Sequence, residues 1–505
     1  MNLILAYNRY YEEHGKKTEA LYRSLREEIV SGGLPAGTRL PPSRKLAEMC
    51  EVSRGVVNQV YDMLYAESYV RMESGSGTFA AYDSAQGSSR IGDLGRQADI
   101  AVSEWAKRLM PITSAADEAG TRMAIVESPP KPGQGMKAID FEITSLAPGL
   151  FPAEEWKKVM YAEIRETVNP QAGTAAGEGE GCPPLSEAIA RELIRERGIH
   201  ADASRLVLTN GSMQAIALLA MLLVSPGDAV VLENPTYPGI ARAVRAAGGH
   251  IIAAKVDDRG IIPADWPAKL LFVTPTRQFP TGAVLSAERR KALLEWANRR
   301  GAVIIEDDYD STFRWGGRPV EPLKALDRED RVVYIGTFSK TMLGELRIGY
   351  ALLPEALTDL FRRAKLLFEP VPSGLTGQRA LAAFISGGGY ERHMRRMRRI
   401  CGRRRICLRE TAGRKLERWF HFAGTDAGLH MYATWRGERA EYERLKSACQ
   451  AAGVSWTDGG RYWLDKNGEA AASALFGFAH LTEAQIEEGV NRIERAALHV
   501  TGTAT

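Results

Sequence analysis

Apolar residues recur at helical spacing in three stretches of the first seventy residues, which predicts three amphipathic helices. The segment 34–37, Leu-Pro-Ala-Gly, separates the first helix from the second. Ser43 and Ser53 stand at the starts of the second and third helices, where a serine hydroxyl is expected to cap free backbone N–H groups. The apolar positions are Leu21, Leu25 and Ile29, then Leu46 and Met49, then Val56, Val57, Val60, Tyr61 and Leu64.

Two short segments follow, Tyr69–Met72 and Thr78–Ala81, and they flank Glu-Ser-Gly-Ser-Gly at 73–77. This pattern predicts a β-hairpin whose glycines permit a close backbone approach to a partner. Helices followed by such a hairpin are typical of a winged helix-turn-helix. Arg54 and Asn58 lie on the polar face near the start of the third helix, where a recognition helix contacts base edges in the major groove.

The pattern then changes twice. Residues 83–137 contain few large apolar side chains and are expected to form a linker between a first domain, 1–82, and a second, 138–505. Within the linker, 103–110 has apolar residues at helical spacing and is predicted to be a short docked helix. From residue 138, β-branched runs alternate with helical patterns. This alternation indicates an α/β fold with a mainly parallel central sheet covered by helices on both faces.

Composition and charge narrow the class of protein. A chain of 505 residues is too long for a single hydrophobic core, so two or more domains are expected. A net charge of +4 neither requires nor excludes a nucleic-acid partner. Between Lys16 and Tyr82, nine basic residues face eight acidic ones, so DNA binding there must depend on how the charges are arranged. Five scattered cysteines argue for a reducing compartment and against structural zinc. The longest apolar run, 215–224, is about half a membrane span. We expect a cytoplasmic protein with no metal and no membrane partner.

The first domain resembles the GntR family of winged-helix repressors. Three blocks carry the resemblance in the family's order: Leu-Pro-Pro-Ser-Arg-Lys-Leu-Ala at 40–47, Val-Ser-Arg at 52–54 and Gly-Ser-Gly-Thr-Phe at 75–79. The resemblance implies a double-stranded DNA operator as partner. The alternative is that the arginines form solvated helix faces and the hairpin is a structural end-piece. The residues implied to contact DNA are Arg44, Ser53, Arg54, Asn58, Gly75 and Ser76.

The most informative segment of the second domain runs from Tyr334 to Tyr350. A predicted strand leads into Thr337, Ser339 and Lys340, and Arg347 follows seven positions after the lysine. Such a set suits a phosphorylated aldehyde, because the amine can form a Schiff base while hydroxyl and guanidinium groups bind the phosphate.

An earlier strand, from 302, ends in Asp307 and Tyr309. Pyridoxal 5'-phosphate needs a carboxylate at its pyridine nitrogen, and it benefits from a phenol near its 3-oxygen. The alternative is a strand end bearing solvated acids, but that alternative does not explain the lysine segment downstream. Two further strand ends carry Ser212 and Met213 at a helix start suited to phosphate, and Tyr237, whose ring can stack on an aromatic ligand.

Together these segments resemble the fold-type I aminotransferases and, behind a GntR-like domain, the MocR/GabR family of regulators. The resemblance implies that Lys340 carries pyridoxal 5'-phosphate as a Schiff base. It also implies a homodimer with head-to-tail packing. The remaining cofactor contacts it implies are Asp307 at the pyridine nitrogen, Tyr309 at the 3-oxygen, Tyr237 on the ring, and Ser212, Met213, Thr337 and Arg347 at the phosphate.

The sequence departs from that family at two places. Ala176 stands where a tyrosine is expected to reach the partner's phosphate, and 472–478 contains no arginine to bind a substrate carboxylate. Arg277, where the family more often has histidine, is a candidate substitute. These departures predict weak or absent transamination. The basic run 395–405 is interpreted as a solvated helix face rather than a nucleic-acid site.

The hypothesis that unites these features is a transcription regulator that senses a small amine, an amino acid or pyridoxal 5'-phosphate itself. Its rivals are a working aminotransferase with an accessory N-terminal domain, and a DNA-binding protein whose large domain has lost the cofactor. The missing arginine argues against the first rival, and the intact Lys340, Asp307 and Tyr309 argue against the second.

Overall fold

A computed structural model describes residues 2–73, 75–82, 103–109, 138–143, 148–168, 181–316, 320–424, 426–464 and 472–502. The chain divides into two compact units, Met1–Ala101 and Val102–Thr505. The division falls inside the predicted linker, whose limits of 83 and 137 lie in segments outside the described residues and stay a prediction.

In the described residues of the first unit, four helices and one hairpin pack around an apolar core. Helix α1 precedes the three predicted helices and packs along α2, where Arg9 forms an ion pair with Glu27 at 2.5 Å. The apolar stripes predicted from the sequence supply most of the buried side chains. The elements are α1 (Asn2–His14), α2 (Lys17–Val30), α3 (Ser43–Met49), α4 (Arg54–Ala66), β1 (Val70–Glu73) and β2 (Gly77–Ala80).

One of the two predicted serine caps is confirmed, and one is wrong. The Ser53 hydroxyl accepts a hydrogen bond from the Val56 N–H at 3.3 Å and caps α4. At α3 the cap position is taken by Pro42, which has the non-helical backbone angles φ −54° and ψ 144°, and Ser43 is already the first helical residue. The Ser43 hydroxyl instead accepts a hydrogen bond from Arg54 Nε at 3.1 Å and joins the two helices of the helix-turn-helix.

The second unit is built on an eight-stranded sheet in the order β4-β11-β10-β9-β8-β5-β6-β7. The five strands from β10 to β6 are mutually parallel, while β11 and β7 run antiparallel to their neighbours. The predicted mainly parallel sheet is therefore confirmed. The strands are β4 (Leu206–Thr209), β5 (Ala229–Asn234), β6 (His250–Asp257), β7 (Gly260–Ile261), β8 (Leu270–Val273), β9 (Val303–Asp308), β10 (Val332–Thr337) and β11 (Gly349–Leu352).

Helices cover both faces of this sheet, as the near-continuous apolar strands require. On one face an apolar core forms under three helices: α8 (Ser212–Leu223), α9 (Pro238–Ala247) and α12 (Glu355–Phe368). The short helix α5 (Glu104–Leu109), close to the predicted 103–110, packs on α9, and Arg108 Nε donates to the Ala246 carbonyl at 3.1 Å. The opposite face is covered by α7 (Pro183–Arg197), α10 (Ala287–Arg300), α11 (Leu323–Leu326) and α13 (Leu375–Ser386).

A smaller five-stranded sheet follows in the order β12-β13-β15-β14-β3. Its strand β3 (Ile139–Phe141) comes from the start of the unit and pairs in parallel with β14 (Val454–Asp458) from its end. The other strands of this sheet are β12 (Phe420–Phe422), β13 (His430–Trp435) and β15 (Ser473–Gly477). The remaining helices of the unit are α6 (Ala153–Val168), α14 (Gly389–Lys415), α15 (Arg439–Ala451) and α16 (Glu483–Val500). Helix α6 packs on α13, and α14 leads into the smaller sheet.

Candidate functional site

The parallel strands bring the predicted residues of the second unit to one edge of the large sheet. Tyr237 follows β5, Asp307 lies in β9 with Tyr309 just after it, and Lys340 follows β10. The carboxyl ends of parallel strands meet at one edge, where ligands bind in open α/β sheets. The topology therefore gathers residues that are more than a hundred positions apart in the sequence.

The start of α8 forms an anion cradle. Gly211 precedes the helix with φ +76°, and a Cβ on Gly211 would lie 2.6 Å from Arg347 Nη2. The Arg347 guanidinium therefore rests directly over the glycine, beside the free N–H groups of the first helical turn, which begins at Ser212. Free N–H groups and a guanidinium together suit a phosphate. At the end of β10 the Thr337 and Ser339 hydroxyls are hydrogen-bonded at 3.0 Å.

Gly349 allows β11 to approach this cradle, and we predict that Gly349→Ala damages it. The added Cβ would lie 2.7 Å from the Gly211 carbonyl carbon and 2.9 Å from the Ser212 nitrogen, and neither backbone atom can rotate away. We expect a loss of about 1–3 kcal/mol of unfolding free energy, measured by urea denaturation, and weaker binding of inorganic phosphate. The control is Gly377→Ala, where the Cβ meets only Leu346 at 3.8 Å. Unchanged phosphate binding in Gly349→Ala would contradict the cradle.

Asp307 is a buried acid, and one of its carboxyl oxygens, Oδ1, has no partner among the described residues. Burial raises the pKa of Asp307 to about 7, and the neighbouring Asp308 and Asp310 carboxylates add to the rise. A buried carboxyl in this state favours a partner that can donate a proton or carry positive charge.

Lys340 lies at the same edge. Burial lowers the pKa of its amine, while the Asp310 carboxylate opposes that shift. Among the described residues none forms a hydrogen bond or an ion pair with the Lys340 amine. A lysine with a lowered pKa provides more free amine at neutral pH, which is the form that attacks a carbonyl.

Arg277 is fully committed to protein contacts, so the structure does not support its role as a substitute carboxylate clamp. Nη1 donates to the Tyr309 hydroxyl at 2.6 Å and pairs with Asp310 at 3.0 Å. Nε and Nη2 donate to the carbonyls of Ala427 and His430. The side chain is 1% exposed. Arg277 instead fixes the position of the Tyr309 hydroxyl.

Three residues of this site, Phe279, Asp310 and His430, were not predicted from the sequence. Phe279 lies edge-on to four rings, those of Tyr237, Tyr309, His430 and Tyr462, with ring centres 4.9–6.0 Å apart. These rings form an apolar wall beside Asp307 and Lys340. Asp310 had a local signal, since it closes the acidic strand end that contains Asp307.

The predicted DNA-contacting residues lie in the first unit and are accessible. Arg44, Ser53, Arg54 and Asn58 are all exposed on α3 or around the start of α4. In the hairpin Gly75 and Ser76 are exposed between β1 and β2. A further basic residue that sequence reasoning missed is close to the hairpin, because a Cβ on Gly77 would lie 2.9 Å from Arg39 Nε.

The basic run 395–405 lies on α14 and makes many contacts within the unit. Arg398 pairs with Glu196 at 2.9 Å, Arg403 with Glu483 at 3.5 Å, and Arg405 with Asp426. Arg404 donates to the Ala479 carbonyl at 2.5 Å. These contacts support the interpretation as a helix face rather than a nucleic-acid site, but the face is not solvated throughout, because Arg405 is buried.

The structure describes one of the two segments in which the sequence departs from the family pattern. The segment 472–478 forms β15, which is buried between β13 and β14. Ala176 lies outside the described residues. Among the described residues there is no cluster of metal-binding side chains, and none of their helices is long and apolar enough to cross a membrane.

Two family models match the chain. The model for aminotransferase class I and II matches residues 142–493, and the model for bacterial regulatory proteins of the gntR family matches residues 17–80. Two solved structures share the fold of the second unit at 23–24% identity: the multiple substrate aminotransferase of Thermococcus profundus (TM-score 0.68) and the α-aminoadipate aminotransferase LysN of Thermus thermophilus (TM-score 0.67). Each comparison covers 80% of this chain and 98% of the other.

Two curated relatives match almost end to end, and a third matches over more than three quarters of each chain. The probable rhizopine catabolism regulatory protein MocR of Rhizobium meliloti is 34% identical, over 95% of this chain and 93% of its own length. The regulator TauR of Rhodobacter capsulatus is 31% identical, over 95% and 96%. The pyridoxine biosynthesis regulator PdxR of Corynebacterium glutamicum is 30% identical over 78% of each chain. The chain therefore belongs to the MocR-type family, in which a GntR winged helix-turn-helix is joined to an aminotransferase class I and II domain.

Proposed function

We propose that this protein is a transcription regulator that binds an operator through its winged helix and carries pyridoxal 5'-phosphate on Lys340. One observation supports this proposal: the same chain carries exposed candidate DNA contacts in its first unit and unpaired candidate cofactor contacts in its second. The exposed contacts are Arg44, Arg54 and Asn58 of the first unit. The unpaired contacts are Asp307 and Lys340 in the second.

The residues of the second unit fit pyridoxal 5'-phosphate. Arg347 and the start of α8 would hold its phosphate, the unpaired Asp307 would hold its pyridine nitrogen, and the Tyr309 hydroxyl would lie at its 3-oxygen. Tyr237 would stack on the ring, with Ser212, Met213 and Thr337 around the phosphate. When bound, the cofactor supplies a reactive carbonyl and an electron sink. Lys340 supplies the amine, and Arg277 keeps the Tyr309 hydroxyl in place.

Sensing follows from the same chemistry. A small amine or amino acid competes with Lys340 for the aldehyde, while free pyridoxal 5'-phosphate itself reports vitamin supply. Either signal changes operator affinity only if it binds the DNA-bound and free forms of the protein unequally. We propose that the regulator works in the cytoplasm, where DNA and reduced thiols coexist, and its five cysteines are all free.

We also propose a homodimer with head-to-tail packing. Around the end of α12, a set of large apolar side chains is exposed on the second unit. Leu367 is 77% exposed and Val371 75%, which is costly for a surface in water. A second copy of the chain would bury this surface and would present two recognition helices to a two-fold operator. The exposed set is Leu360, Leu366, Leu367, Phe368 and Val371.

The regulator half is tested by titrating the full chain with the DNA upstream of its own reading frame and with random DNA of equal length. We expect tighter binding to the upstream DNA. Arg54→Ala should weaken it by about 5- to 150-fold, since one good base contact contributes about 1–3 kcal/mol. Arg23→Ala is the control, because Arg23 pairs with Glu19 on α2. Equal affinity for both DNA fragments would refute the proposal.

The cofactor half is tested by borohydride reduction and peptide mass spectrometry. We expect pyridoxal 5'-phosphate to be trapped on Lys340 in the native chain and to be lost in Lys340→Ala. Trapping elsewhere, or none, would refute this half. Rapid turnover of an amino-acid and keto-acid pair would instead favour a working aminotransferase. An aminotransferase of Thermococcus litoralis is 27% identical over 70% of this chain.

A further inference from the structure

The turn that leads into α8, residues 210–211, is held in place by a chain of hydrogen bonds that begins outside it. The first link of this α8 turn is local, because the Asn210 backbone N–H donates to Gln214 Oε1 at 2.8 Å. Gln214 is the third residue of α8, and the cap position is Gly211, which has no side chain to accept from the first-turn N–H groups. These groups stay available for a phosphate, and Gln214 fixes the turn in place of a capping side chain.

Glu369, the residue just after α12, supplies the second link. Gln214 Nε2 donates to Glu369 Oε2 at 3.1 Å, and the Ser373 backbone N–H donates to Glu369 Oε1 at 2.7 Å. The buried Lys365 ammonium pairs with Glu369 Oε2 at 3.1 Å. The Ser373 hydroxyl lies 2.7 Å from Asn210 Oδ1, so the segment after α12 holds the α8 turn at two points.

The charge of Glu369 decides which way the Gln214 amide points. Burial opposes the negative charge, but the hydrogen bonds to Glu369 and the Lys365 ammonium outweigh burial and lower the pKa of Glu369. At neutral pH it is therefore a carboxylate, which accepts hydrogen bonds and donates none. A glutamine amide has its nitrogen donor on one side and its oxygen acceptor on the other. Because the nitrogen must face Glu369, the oxygen faces the Asn210 N–H.

We propose that Glu369 is a positioning residue for the cofactor phosphate, acting through Gln214 rather than by contact with the phosphate. This inference rests on the proposed cofactor function. The α8 turn is tightly packed, since a Cβ on Gly211 would lie 2.6 Å from Arg347 Nη2. If the Gln214 amide is reversed, its nitrogen faces the Asn210 N–H, and two donors without an acceptor between them push the turn out of place. The first-turn N–H groups and the Arg347 guanidinium then no longer converge on one phosphate.

The test is the binding of inorganic phosphate to the full, cofactor-free chain, measured by isothermal titration calorimetry. Arg347→Met should abolish the saturable binding, which assigns the measured phosphate to the cradle. Glu369→Gln should weaken the binding by about 2- to 12-fold, as expected for the loss of one hydrogen bond. Gln214→Met should weaken it to the same extent, and Glu369→Gln should add little in that background, because both substitutions act on the same amide.

A matched variant separates positioning from stability. Glu369→Gln also removes a charge that pairs with the buried Lys365, so its free energy of unfolding should fall. Asp327→Asn removes a similar charge, which pairs with Lys324 at 3.4 Å. Asp327 lies before β10, at the amino ends of the parallel strands, whereas the cradle lies at their carboxyl ends. We expect Asp327→Asn to lower the free energy of unfolding, measured by urea denaturation, and to keep the native phosphate affinity.

Native phosphate affinity in Glu369→Gln would overturn the proposal. Equal losses of affinity in Glu369→Gln and Asp327→Asn would also overturn it, because both losses would then follow stability alone. Phosphate binding that survives in Arg347→Met, or no saturable binding by the native chain, would remove the cradle on which the proposal depends. The cofactor function is judged separately, by the trapping of pyridoxal 5'-phosphate on Lys340, so the two failures are distinguishable.

Discussion

Asp307→Asn is expected to weaken the affinity for pyridoxal 5'-phosphate by about 10- to 150-fold, because a charge-assisted hydrogen bond of about 1.5–3 kcal/mol is lost. The same substitution is expected to stabilise the cofactor-free protein. The pKa of Asp307 rises from 3.8 to about 7 in the folded chain, so the folded state binds an extra proton between these values. Native stability therefore falls as pH rises toward about 7 and is level above it, while Asp307→Asn lacks this contribution.

The measurement is urea denaturation of both cofactor-free chains between pH 5.5 and 8.5, with cofactor titrations beside it. The stability difference should grow with pH up to about 7 and then stay constant. Glu233→Gln is the control: burial also raises the pKa of Glu233 to about 7, but Thr274 and Gln278 already donate to it. We expect a similar pH dependence there but no net stabilisation, because Glu233→Gln also weakens the hydrogen bonds from Thr274 and Gln278. Native cofactor affinity in Asp307→Asn would exclude Asp307 from the pyridine nitrogen.

Arg277→Met is expected to destabilise the protein by about 3–5 kcal/mol, because it leaves Asp310 buried without its ion-pair partner. Burial raises the pKa of Asp310, and the Arg277 guanidinium opposes the rise, so its removal raises that pKa further. Buried Asp310 destabilises the folded state less when it is protonated, and a higher folded pKa means that more of it is protonated at pH 5.5. The loss should therefore be larger at pH 8.5 than at pH 5.5, measured by urea denaturation.

The double variant Arg277→Met with Asp310→Leu should recover much of this stability, since a buried ion pair can be replaced by apolar side chains at little cost. A substrate clamp would behave differently. If Arg277 bound an effector carboxylate, the single variant would keep its stability and lose only effector binding. That outcome would contradict the position assigned to Arg277 beneath Tyr309.

Much of the site could be predicted because its residues follow strands in recognisable local patterns. Lys340 and Asp307 each close an apolar run, and parallel pairing brings such ends together. The pairing of Arg277 with Asp310 could not be predicted, because the two residues are 33 positions apart and a buried arginine has the same local sequence as a solvated one.

Local sequence rules also gave a wrong helix cap where two of them competed. Ser43 has the residue type of an N-cap, but the preceding Pro42 occupies the cap with its fixed φ of −54°. Ser53 follows Val52, which imposes no such constraint, and its cap formed. The helix α1 was not predicted, because its apolar residues Leu3 and Tyr7 can be recognised as core residues only once they pack against α2.

The pairing of β3 with β14 has a consequence for synthesis on the ribosome. Ile139 hydrogen-bonds to the Gly453 carbonyl at 2.8 Å and aligns with Val454, so the first strand of the second unit is completed by one of the last. The whole large sheet is translated in between. In a nascent chain, the apolar Ile139 and Phe141 therefore lack their β14 partner until more than three hundred further residues have emerged. A premature stop before β14 leaves those side chains permanently unpaired, and such fragments are natural targets for chaperones and proteases.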